Sequence, residues 1–329
     1  MKRKGNLFQA VCSKENIKTA IEQAMKGKSH YSEVQYICKD IDRYVDELRA
    51  LLLSKKFKNS EYTVFKKLSG NKVREIYKLP FYPDRVVHHC VVQVLKPMWI
   101  KLLIRDTYST IPTRGIHDGV RRVKRILKDV EGTKYCLKLD VRKYYPSVDH
   151  DVLKVLLRRK IKDKDLLDLL DVIIDSADGI PIGNYVSQWL GNIYLAYFDH
   201  YCKEELKCKY YFRYCDDVVI LSDNKAHLHG VLVAINHYLN AELNLSVKSN
   251  FQVFPVDIRG IDFLGYRFFH SHTLVRKRIV KAMKRNLRKP KSMVSYWGWL
   301  KHADTYRLTT KYFSHEWKLK HLPKCSRTA

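Results

Sequence analysis

Three aspartates lie where apolar segments of this 329-residue sequence are interrupted or end. Asp216 and Asp217 are adjacent, and they divide the apolar run from Tyr210 to Leu221. Asp140 ends the segment 135–139, where apolar side chains alternate as they do in a β-strand. Two aspartates at a bend are often an ordinary solvated turn. The second acidic strand end favours a shared site instead.

Carboxylates held side by side on two strands form a hard, oxygen-rich site that suits Mg²⁺. Like charges packed this closely destabilise one another unless cations neutralise them. Two metal ions in such a site can activate a hydroxyl group and stabilise the leaving oxygen of one in-line phosphoryl displacement. The pattern therefore predicts two bound Mg²⁺ ions, with Mn²⁺ as a possible substitute, and a nucleotidyl-transfer type of chemistry.

The elements that must position these residues are helices and strands in a mixed order. Apolar spacing predicts a largely helical stretch from about 14 to 53 and a helix from 85 to 99. Two short apolar runs joined at Ser69-Gly70-Asn71 predict a hairpin over 62–79. Further along the chain we expect helices over 149–160, 163–176 and 184–206, with a turn at 179–183. We also expect strands over 251–256 and 263–268. The chain should end in a basic helical tail from about 275 that is broken at Pro290.

The charge balance points to a polyanionic partner. The chain has 62 Lys and Arg against 34 Asp and Glu, a formal net charge of +28. After Asp262 the only acidic residues are Asp304 and Glu316, so the surplus is concentrated toward the end. Such an excess repels itself in a compact fold unless an anion offsets it. Nucleic acid is favoured over an anionic membrane surface, and a merely soluble basic protein is the remaining alternative.

The eight cysteines do not form a CxxC pair, so neither a zinc module nor a disulfide framework is expected. The basic start, Met1 to Lys4, is not followed by an apolar segment. We therefore expect no signal peptide, no membrane span and no membrane partner. A reducing, cytoplasmic location is the matching expectation.

The segment Tyr214-Cys215-Asp216-Asp217 resembles the YxDD box of reverse transcriptases, and Asp140 with Tyr145 five residues later resembles their preceding acidic motif. The resemblance implies an α+β fold, a right-hand polymerase with fingers, a palm of antiparallel sheet plus helices, and a helical thumb. It assigns the metal ions to Asp140, Val141, Asp216 and Asp217. Tyr145 would be a steric gate against ribonucleotides, although an ordinary core aromatic is the alternative. Viral RNA-dependent RNA polymerases usually carry GDD and a smaller residue near the gate.

The resemblance also divides the chain and assigns further roles. It implies N-terminal helices and fingers over 1–133, a palm with a finger-derived insert over 134–268, and a basic helical thumb over 269–329. Lys67 and Arg74 would hold the incoming triphosphate, because a cation and a fork of donors match phosphate oxygens. Lys248 would be the general acid for pyrophosphate, with a phosphate-binding or surface lysine as the alternative. The segment 263–266 resembles the primer-grip turn.

The segment from Ile182 to Gln188 indicates which class of reverse transcriptase the chain resembles. Most reverse transcriptases have QGxxxSP here, whereas this chain has IGxxxSQ, with Gly183 retained. That variant resembles the enzymes of diversity-generating retroelements, which make adenine-mutagenic cDNA from a template-repeat RNA. The resemblance implies a bacterial or phage-encoded protein. In that class Val141, Tyr145, Ile182, Gly183 and Gln188 would surround the incoming dNTP.

The partners implied by that class are template RNA, the RNA/DNA duplex, dNTPs and a small basic pentameric accessory variability protein. Two alternatives stay open. The chain could be another bacterial reverse transcriptase, involved in phage defence or unclassified, or it could be a non-catalytic basic RNA-binding protein.

Isoleucine at position 182 suggests a mechanism for low fidelity. In the common motif the glutamine contacts the incoming nucleotide, whereas an isoleucine offers shape alone. Losing a positioning hydrogen bond costs roughly 0.5–1.5 kcal/mol, or up to about tenfold in discrimination. The alternative is that Ile182 only packs.

Overall fold

The computed structural model describes residues 2–69, 72–314, 317, 320 and 321. Its helices are α1 Phe8–Val11, α2 Lys14–Met25, α3 Ser32–Cys38, α4 Ile41–Leu53, α5 Val86–Leu102, α6 Ile116–Ile126, α7 His150–Arg158, α8 Lys164–Ile174, α9 Ser187–Tyr194, α10 Ala196–His200, α11 Lys225–Leu243, α12 Val256–Arg259, α13 Lys277–Arg285, α14 Pro290–Leu300 and α15 Tyr306–Tyr312. A kinked turn covers Phe81–Arg85, with Tyr82 extended at φ of −122°. A short π-helical turn covers Tyr201–Glu205, and short 3₁₀ turns cover Glu131–Thr133 and Tyr145–Ser147.

The strands form three sheets. They are β1 Thr63–Ser69, β2 Lys72–Lys78, β3 Thr107–Tyr108, β4 Tyr135–Asp140, β5 Tyr210–Tyr214, β6 Asp217–Ser222, β7 Gln252–Pro255, β8 Ile261–Phe263, β9 Tyr266–Phe268 and β10 Thr273–Val275. The central sheet has the order β3-β5-β6-β4-β7, and all its pairs are antiparallel except β3 with β5. β1 and β2 form a separate hairpin, and β10, β9 and β8 form a small sheet. The predicted α+β class is confirmed.

The central sheet separates two apolar cores, and the alternation of each strand decides which side chain joins which core. On β4, Leu137 and Leu139 pack into the core shared with the N-terminal helices, while Cys136 faces the other core. On β6, Val218 belongs to the first core and Val219 to the second. The second core also includes residues of α13, α14 and the small sheet. Both faces of the sheet are therefore covered, and its strand ends are left as the place for a site.

Several helices begin where the sequence offers a capping side chain. Asp149 accepts a hydrogen bond from the amide of Val152 at 3.0 Å, and Asp163 accepts one from Leu166 at 3.2 Å. Such caps satisfy amides that the first turn of a helix leaves without partners. Pro290, expected to break the helical tail, is the first residue of α14, where the missing N–H costs nothing.

Four details of the sequence prediction are corrected. The stretch 14–53 contains three helices, because turns interrupt it at 26–31 and 39–40. The long helix expected over 184–206 is divided into α9, α10 and a π turn, and the nearly complete burial of α9 conceals the break that follows it. The strand expected over 263–268 is a hairpin, because Leu264 and Gly265 have φ of 52° and 86°. Helices α6 and α11 were not predicted. Of the expected turn at Ser69-Gly70-Asn71, Gly70 and Asn71 lie outside the described residues.

The β1–β2 hairpin is attached to the loop before α9. The amide of Tyr77 donates to the carbonyl of Ile182 at 2.8 Å. Gly183 has φ of 133°, and a Cβ there would lie 2.2 Å from the carbonyl oxygen of Tyr77. Only glycine permits this backbone and this close approach. The hairpin is thereby held beside the 182–188 segment.

Among the described helices, none combines the length and the apolar character that crossing a membrane requires.

Candidate active site

The structure brings the three aspartates together at one end of the central sheet. Asp140 and Asp217 are direct partners in the β4–β6 register. Tyr214 pairs with Asp217 across the β5–β6 hairpin, so Cys215 and Asp216 form its two-residue turn. Cys215 adopts φ of 54°, the left-handed conformation that such a tight turn requires. The apolar run 210–221 is thus a hairpin whose turn projects Asp216 beside the other two carboxylates.

Two lysines partly neutralise this cluster. Lys248 Nζ lies 2.6 Å from Asp140 Oδ2, and its amide donates to the Asp140 carbonyl at 2.9 Å. Lys138 Nζ lies 3.4 Å from Asp217 Oδ2 and also contacts the carbonyl oxygen of Asp262. The second oxygen of each of these two carboxylates, Oδ1 of Asp140 and Oδ1 of Asp217, is buried and has no hydrogen-bond partner among the described residues. Buried carboxylate oxygens without partners are costly, and a cation would satisfy them.

The carboxyl groups have displaced pKa values. Burial, with the adjacent Asp140 carboxylate as the next cause, raises the pKa of Asp216 to about 7. Burial raises the pKa of Asp217 to about 6, and Lys138 opposes that rise. Because both pKa values are raised, the carboxylate form of Asp216 and Asp217 is disfavoured in the metal-free fold. Metal binding and protonation must therefore compete for the same groups.

The donor set fits a hard divalent cation. Oxygen ligands from several carboxylates are what Mg²⁺ prefers, and the two unpartnered oxygens provide acceptors. Within the described ranges, however, no three His, Cys, Asp or Glu side chains already converge as a complete ligand group. Asp140 is turned toward Lys248 instead, so a cation would have to replace that ammonium group. Val141 follows Asp140 in a buried bridge with Val247, and its amide lies 3.4 Å from the carbonyl oxygen of Asp216.

Tyr145 lies directly against this turn. Its ring packs edge-on to Tyr144 with centroids 5.3 Å apart, and its hydroxyl interacts with the Cys215 thiol. Burial, followed by the charges of Cys215 and Asp216, raises the pKa of its phenol. The carbonyl of Tyr145 accepts from the amide of Ile180 at 2.8 Å. A half-buried aromatic ring is therefore fixed beside the carboxylates.

The other predicted residues occupy neighbouring loops and the hairpin. Ile182 is half-buried, and Gly183 is exposed. Gln188 Oε1 accepts from the Thr110 hydroxyl at 2.6 Å. Lys67 and Arg74 are exposed cross-strand partners on the separate β1–β2 hairpin, not on the sheet of the aspartates. Like charges directly opposite one another are destabilising, so an anion bound between them would relieve that cost.

A buried guanidinium that the sequence pattern did not lead us to expect lies beneath the Cys215–Asp216 turn. Arg213 on β5 is fully buried. Its Nε and Nη2 each lie 2.6 Å from an oxygen of Asp199, and its Nη1 donates to the carbonyl of Cys215 at 2.9 Å. Nη1 and Nη2 also contact the side-chain and main-chain oxygens of Asn192 at 3.2 and 3.3 Å. All five guanidinium donors are thus used.

Asp199 is equally saturated. Its Oδ1 also accepts from the Tyr211 hydroxyl at 2.6 Å, and its Oδ2 accepts from Thr107 at 2.8 Å. The network joins β3, β5, α9 and α10 to the main chain of the Cys215–Asp216 turn. One signal in the sequence could have found it: an arginine inside the apolar run Tyr-Tyr-Phe-Arg-Tyr requires a buried acidic partner.

The chain is similar to known proteins over most of this region. Residues 65–268 match the family model described as Reverse transcriptase (RNA-dependent DNA polymerase). Protein YkfC of Escherichia coli is 26% identical over 255 residues, covering 64% of this chain and 65% of that protein. The group II intron-encoded protein LtrA of Lactococcus lactis is 23% identical over 155 residues, covering 44% of this chain and 25% of that protein. The chain thus spans less than two thirds of these curated relatives.

Solved structures show the same fold. Telomerase from Candida albicans, in complex with a TWJ fragment of telomeric RNA, superposes with a TM-score of 0.50 at 14% identity, covering 74% of this chain and 55% of that chain. Telomerase from Candida tropicalis, in the same kind of complex, gives a TM-score of 0.50 and covers 68% of this chain and 47% of that one. The predicted right-hand polymerase fold, a sheet with helices, is confirmed.

The Arg213–Asp199 pair yields a stability prediction. Asp199→Asn leaves the buried guanidinium without its counter-charge, which should lower the free energy of unfolding by about 3–5 kcal/mol. Tyr211→Phe is the matched control, because it removes one hydrogen bond to the same carboxylate and should cost about 1 kcal/mol. Urea unfolding of both variants measures the difference. Equal losses for the two variants would contradict the assigned role of the pair.

The raised pKa values yield a pH prediction for the metal-free and Mg²⁺-bound protein. Folded Asp216 and Asp217 retain protons that the unfolded chain releases near pH 4. Their contribution to stability is therefore present at low pH and is lost as pH rises through the folded pKa values, about 6 to 7. Mg²⁺ binds the deprotonated folded form, so its stabilising effect should grow over the same window.

Thermal unfolding with and without saturating Mg²⁺, at about pH 5 and about pH 8, tests this sign. We expect a larger rise in Tm at the higher pH. Asp216→Asn combined with Asp217→Asn should abolish the difference. A rise in Tm that is the same at both pH values would show that these carboxyl groups do not bind the metal.

Proposed function

The chain belongs to the reverse transcriptase (RNA-dependent DNA polymerase) family, and from that premise we propose that it synthesises DNA on an RNA template at Asp140, Asp216 and Asp217. One observation carries the proposal: Asp140 and Asp217 are partners in the β4–β6 register beside Asp216 in the adjoining turn, and two of the buried oxygens lack partners among the described residues. A net charge of +28 supports an RNA/DNA duplex as the bound polyanion.

Each part of the site has a proposed task. Mg²⁺, or Mn²⁺ in its place, would lower the pKa of the primer 3′-hydroxyl and stabilise the leaving pyrophosphate oxygen. Asp140, Asp216 and Asp217, with the main chain of Val141, would hold those ions. Lys248, displaced from Asp140, would be free to give a proton to pyrophosphate.

The triphosphate of the incoming nucleotide needs cations outside the aspartate cluster. The exposed pair Lys67 and Arg74 would provide them from the β1–β2 hairpin. Because Gly183 and the Ile182 carbonyl hold that hairpin, the triphosphate and the 182–188 segment would be positioned together. We assign this hairpin to fingers within 1–133, the site to a palm over 134–268, and the basic end over 269–329 to a thumb.

Tyr145 supports deoxynucleotides as substrates. Its ring is fixed beside Cys215 and Asp216 by contacts on several sides. A ribose 2′-hydroxyl would need the space that such a ring occupies. The same packing means that the ring cannot move aside at low cost.

We further propose that the chain is the mutagenic enzyme of a diversity-generating retroelement in a bacterial or phage-infected cytoplasm. Support comes from Ile182 and Gln188 in place of glutamine and proline. Gln188 hydrogen-bonds to Thr110, so the departure from proline has a structural use. In this role the chain would act with a pentameric basic accessory protein and a template-repeat RNA. Another bacterial reverse transcriptase, involved in phage defence or unclassified, is compatible with the same relatives.

A primer-extension assay tests the polymerase proposal. With Mg²⁺, a primed RNA template and dNTPs, the wild-type chain should extend the primer, and with NTPs it should extend poorly. Asp216→Ala combined with Asp217→Ala should abolish extension while leaving RNA affinity in place. Extension that survives the double substitution would refute the assigned site. Absence of extension by the wild type, with RNA binding intact, would favour a non-catalytic RNA-binding protein.

The mutagenic class has its own test. Ile182→Gln restores a side chain that can hydrogen-bond the nucleotide, so misincorporation opposite adenine should fall by up to about tenfold. Ile182→Val is the matched control, since it keeps an apolar side chain and should keep the errors. Sequencing of cDNA from both variants measures the rates. Adenine error frequencies that do not change in Ile182→Gln would sink the hypothesis.

A further inference from the structure

Lys138 is a largely buried lysine on a central strand of the sheet. It lies on β4 two residues before Asp140, between Val219 on β6 and Gln252 on β7. Alternation along β4 places its side chain on the same face as Cys136 and Asp140, the face that the small sheet, α13 and α14 cover. The side chain is only 21% exposed. An ammonium group in this position is stable only where acceptors surround it.

Two acceptors on different elements hold the ammonium group. Lys138 Nζ lies 3.4 Å from Asp217 Oδ2 on β6, and it donates a hydrogen bond to the carbonyl oxygen of Asp262 on β8. Lys248 differs, because Asp140 is the one partner that the described residues provide for its ammonium group. A metal ion that approaches the cluster can displace Lys248 by breaking that single contact, whereas Lys138 has a second attachment outside the cluster.

The second attachment of Lys138 is itself fixed by Arg276. Arg276 Nε forms an ion pair with Asp262 Oδ1, and its Nη2 donates to the Asp262 carbonyl at 3.4 Å. The amide of Arg276 donates to the carbonyl of Gly265 at 2.9 Å, and α13 begins at the next residue. The anchor of Lys138 is therefore the junction between the small sheet and the basic helical end of the chain.

The contact with Lys138 makes the two oxygens of Asp217 unequal. Oδ2 faces the ammonium group, while Oδ1 is buried without a hydrogen-bond partner in the described part of the chain. An anchored donor at one oxygen restrains rotation of the carboxylate and leaves the other oxygen open to a cation. Loss of such a partner of a metal-binding carboxylate lowers metal affinity by about 10- to 100-fold.

We propose that Lys138 is a positioning residue for the metal site, which stays on Asp217 Oδ2 when a divalent cation binds and so presents Oδ1 as the ligand. Its hold on Asp217 depends in turn on Asp262 and Arg276. The inference rests on the proposed metal site and adds to it a residue that acts through a ligand. Lys248, in contrast, has to leave its carboxylate. The two lysines therefore have opposite effects on metal affinity.

Equilibrium binding of Mn²⁺ to the full chain, followed by the electron paramagnetic resonance signal of free Mn²⁺, tests these signs. The measurement is made without nucleic acid at about pH 8, where the carboxylates are ionised. Lys138→Met keeps the length of the side chain and removes its ammonium group, so the affinity should fall by about 10- to 100-fold. Lys248→Met is the matched substitution at the other lysine, and it should raise the affinity because a competing cation is gone.

The sign of the change in Lys138→Met decides between positioning and simple charge. If Lys138 acted by charge alone, its removal would also raise the affinity, since a positive charge beside the site repels a metal ion. A raised or unchanged affinity in Lys138→Met would therefore overturn the proposal.

Arg276→Met tests the anchor separately. Its affinity for Mn²⁺ should fall, though less than that of Lys138→Met. The double variant should bind no more weakly than Lys138→Met alone, because both changes remove the same restraint. Additive losses, or a folded Arg276→Met variant with the affinity of wild type, would overturn the proposal.

Two further measurements separate the possible failures. The Tm of each metal-free variant detects a folding defect, and if Lys138→Met does not fold, the result for Arg276→Met, a residue outside the central sheet, decides. Asp216→Asn combined with Asp217→Asn should abolish Mn²⁺ binding. Binding that survives this double change would refute the proposed metal site itself. Binding that the double change abolishes but Lys138→Met leaves intact would refute only the role of Lys138.

Discussion

The buried ion pair between Arg213 and Asp199 is the interaction on which the Cys215–Asp216 turn depends. A charge with no access to water is stable only when every donor and acceptor around it is used. Here the five guanidinium donors and both carboxylate oxygens are used, and one donor goes to the carbonyl of Cys215. Because that residue is held in a left-handed conformation, the pair fixes the turn from beneath and sets the direction of Asp216.

Because the Arg213–Asp199 pair fixes the turn, the fold can hold an electrostatically unfavourable carboxylate cluster above it. Three carboxylates meet at one sheet end, two of their oxygens lack described partners, and the pKa values of Asp216 and Asp217 are raised. Such a cluster would relax if its backbone were free to move. The two cores on either side of the sheet and the Arg213 network prevent that movement, so the cost is retained until a cation removes it. Lys138 and Lys248 offset part of the repulsion in the meantime.

Much of the site follows from local sequence pattern, and the rest depends on tertiary contacts. The strand at 135–140 and the turn at 215–216 were predictable, because alternating burial and adjacent carboxylates are visible in the sequence. The breaks in the segment 184–206 were not, since almost every residue of α9 is buried and the apolar pattern continues through them. The Arg213–Asp199 pair joins residues 14 apart, and the hydrogen bond from Tyr77 to Ile182 crosses still more of the chain. Spacing along the sequence does not reveal either contact.

We propose that Asp140, Asp216 and Asp217 together hold two divalent ions for DNA synthesis. A crystal structure of the chain with an RNA/DNA template–primer, a non-hydrolysable dNTP and Mn²⁺ tests it directly through the anomalous signal of manganese. We predict two peaks roughly 4 Å apart, both coordinated by these carboxylates, with Lys248 moved away from Asp140. A single peak, or manganese bound elsewhere while Asp140 and Asp217 keep their lysine contacts, would contradict this metal site.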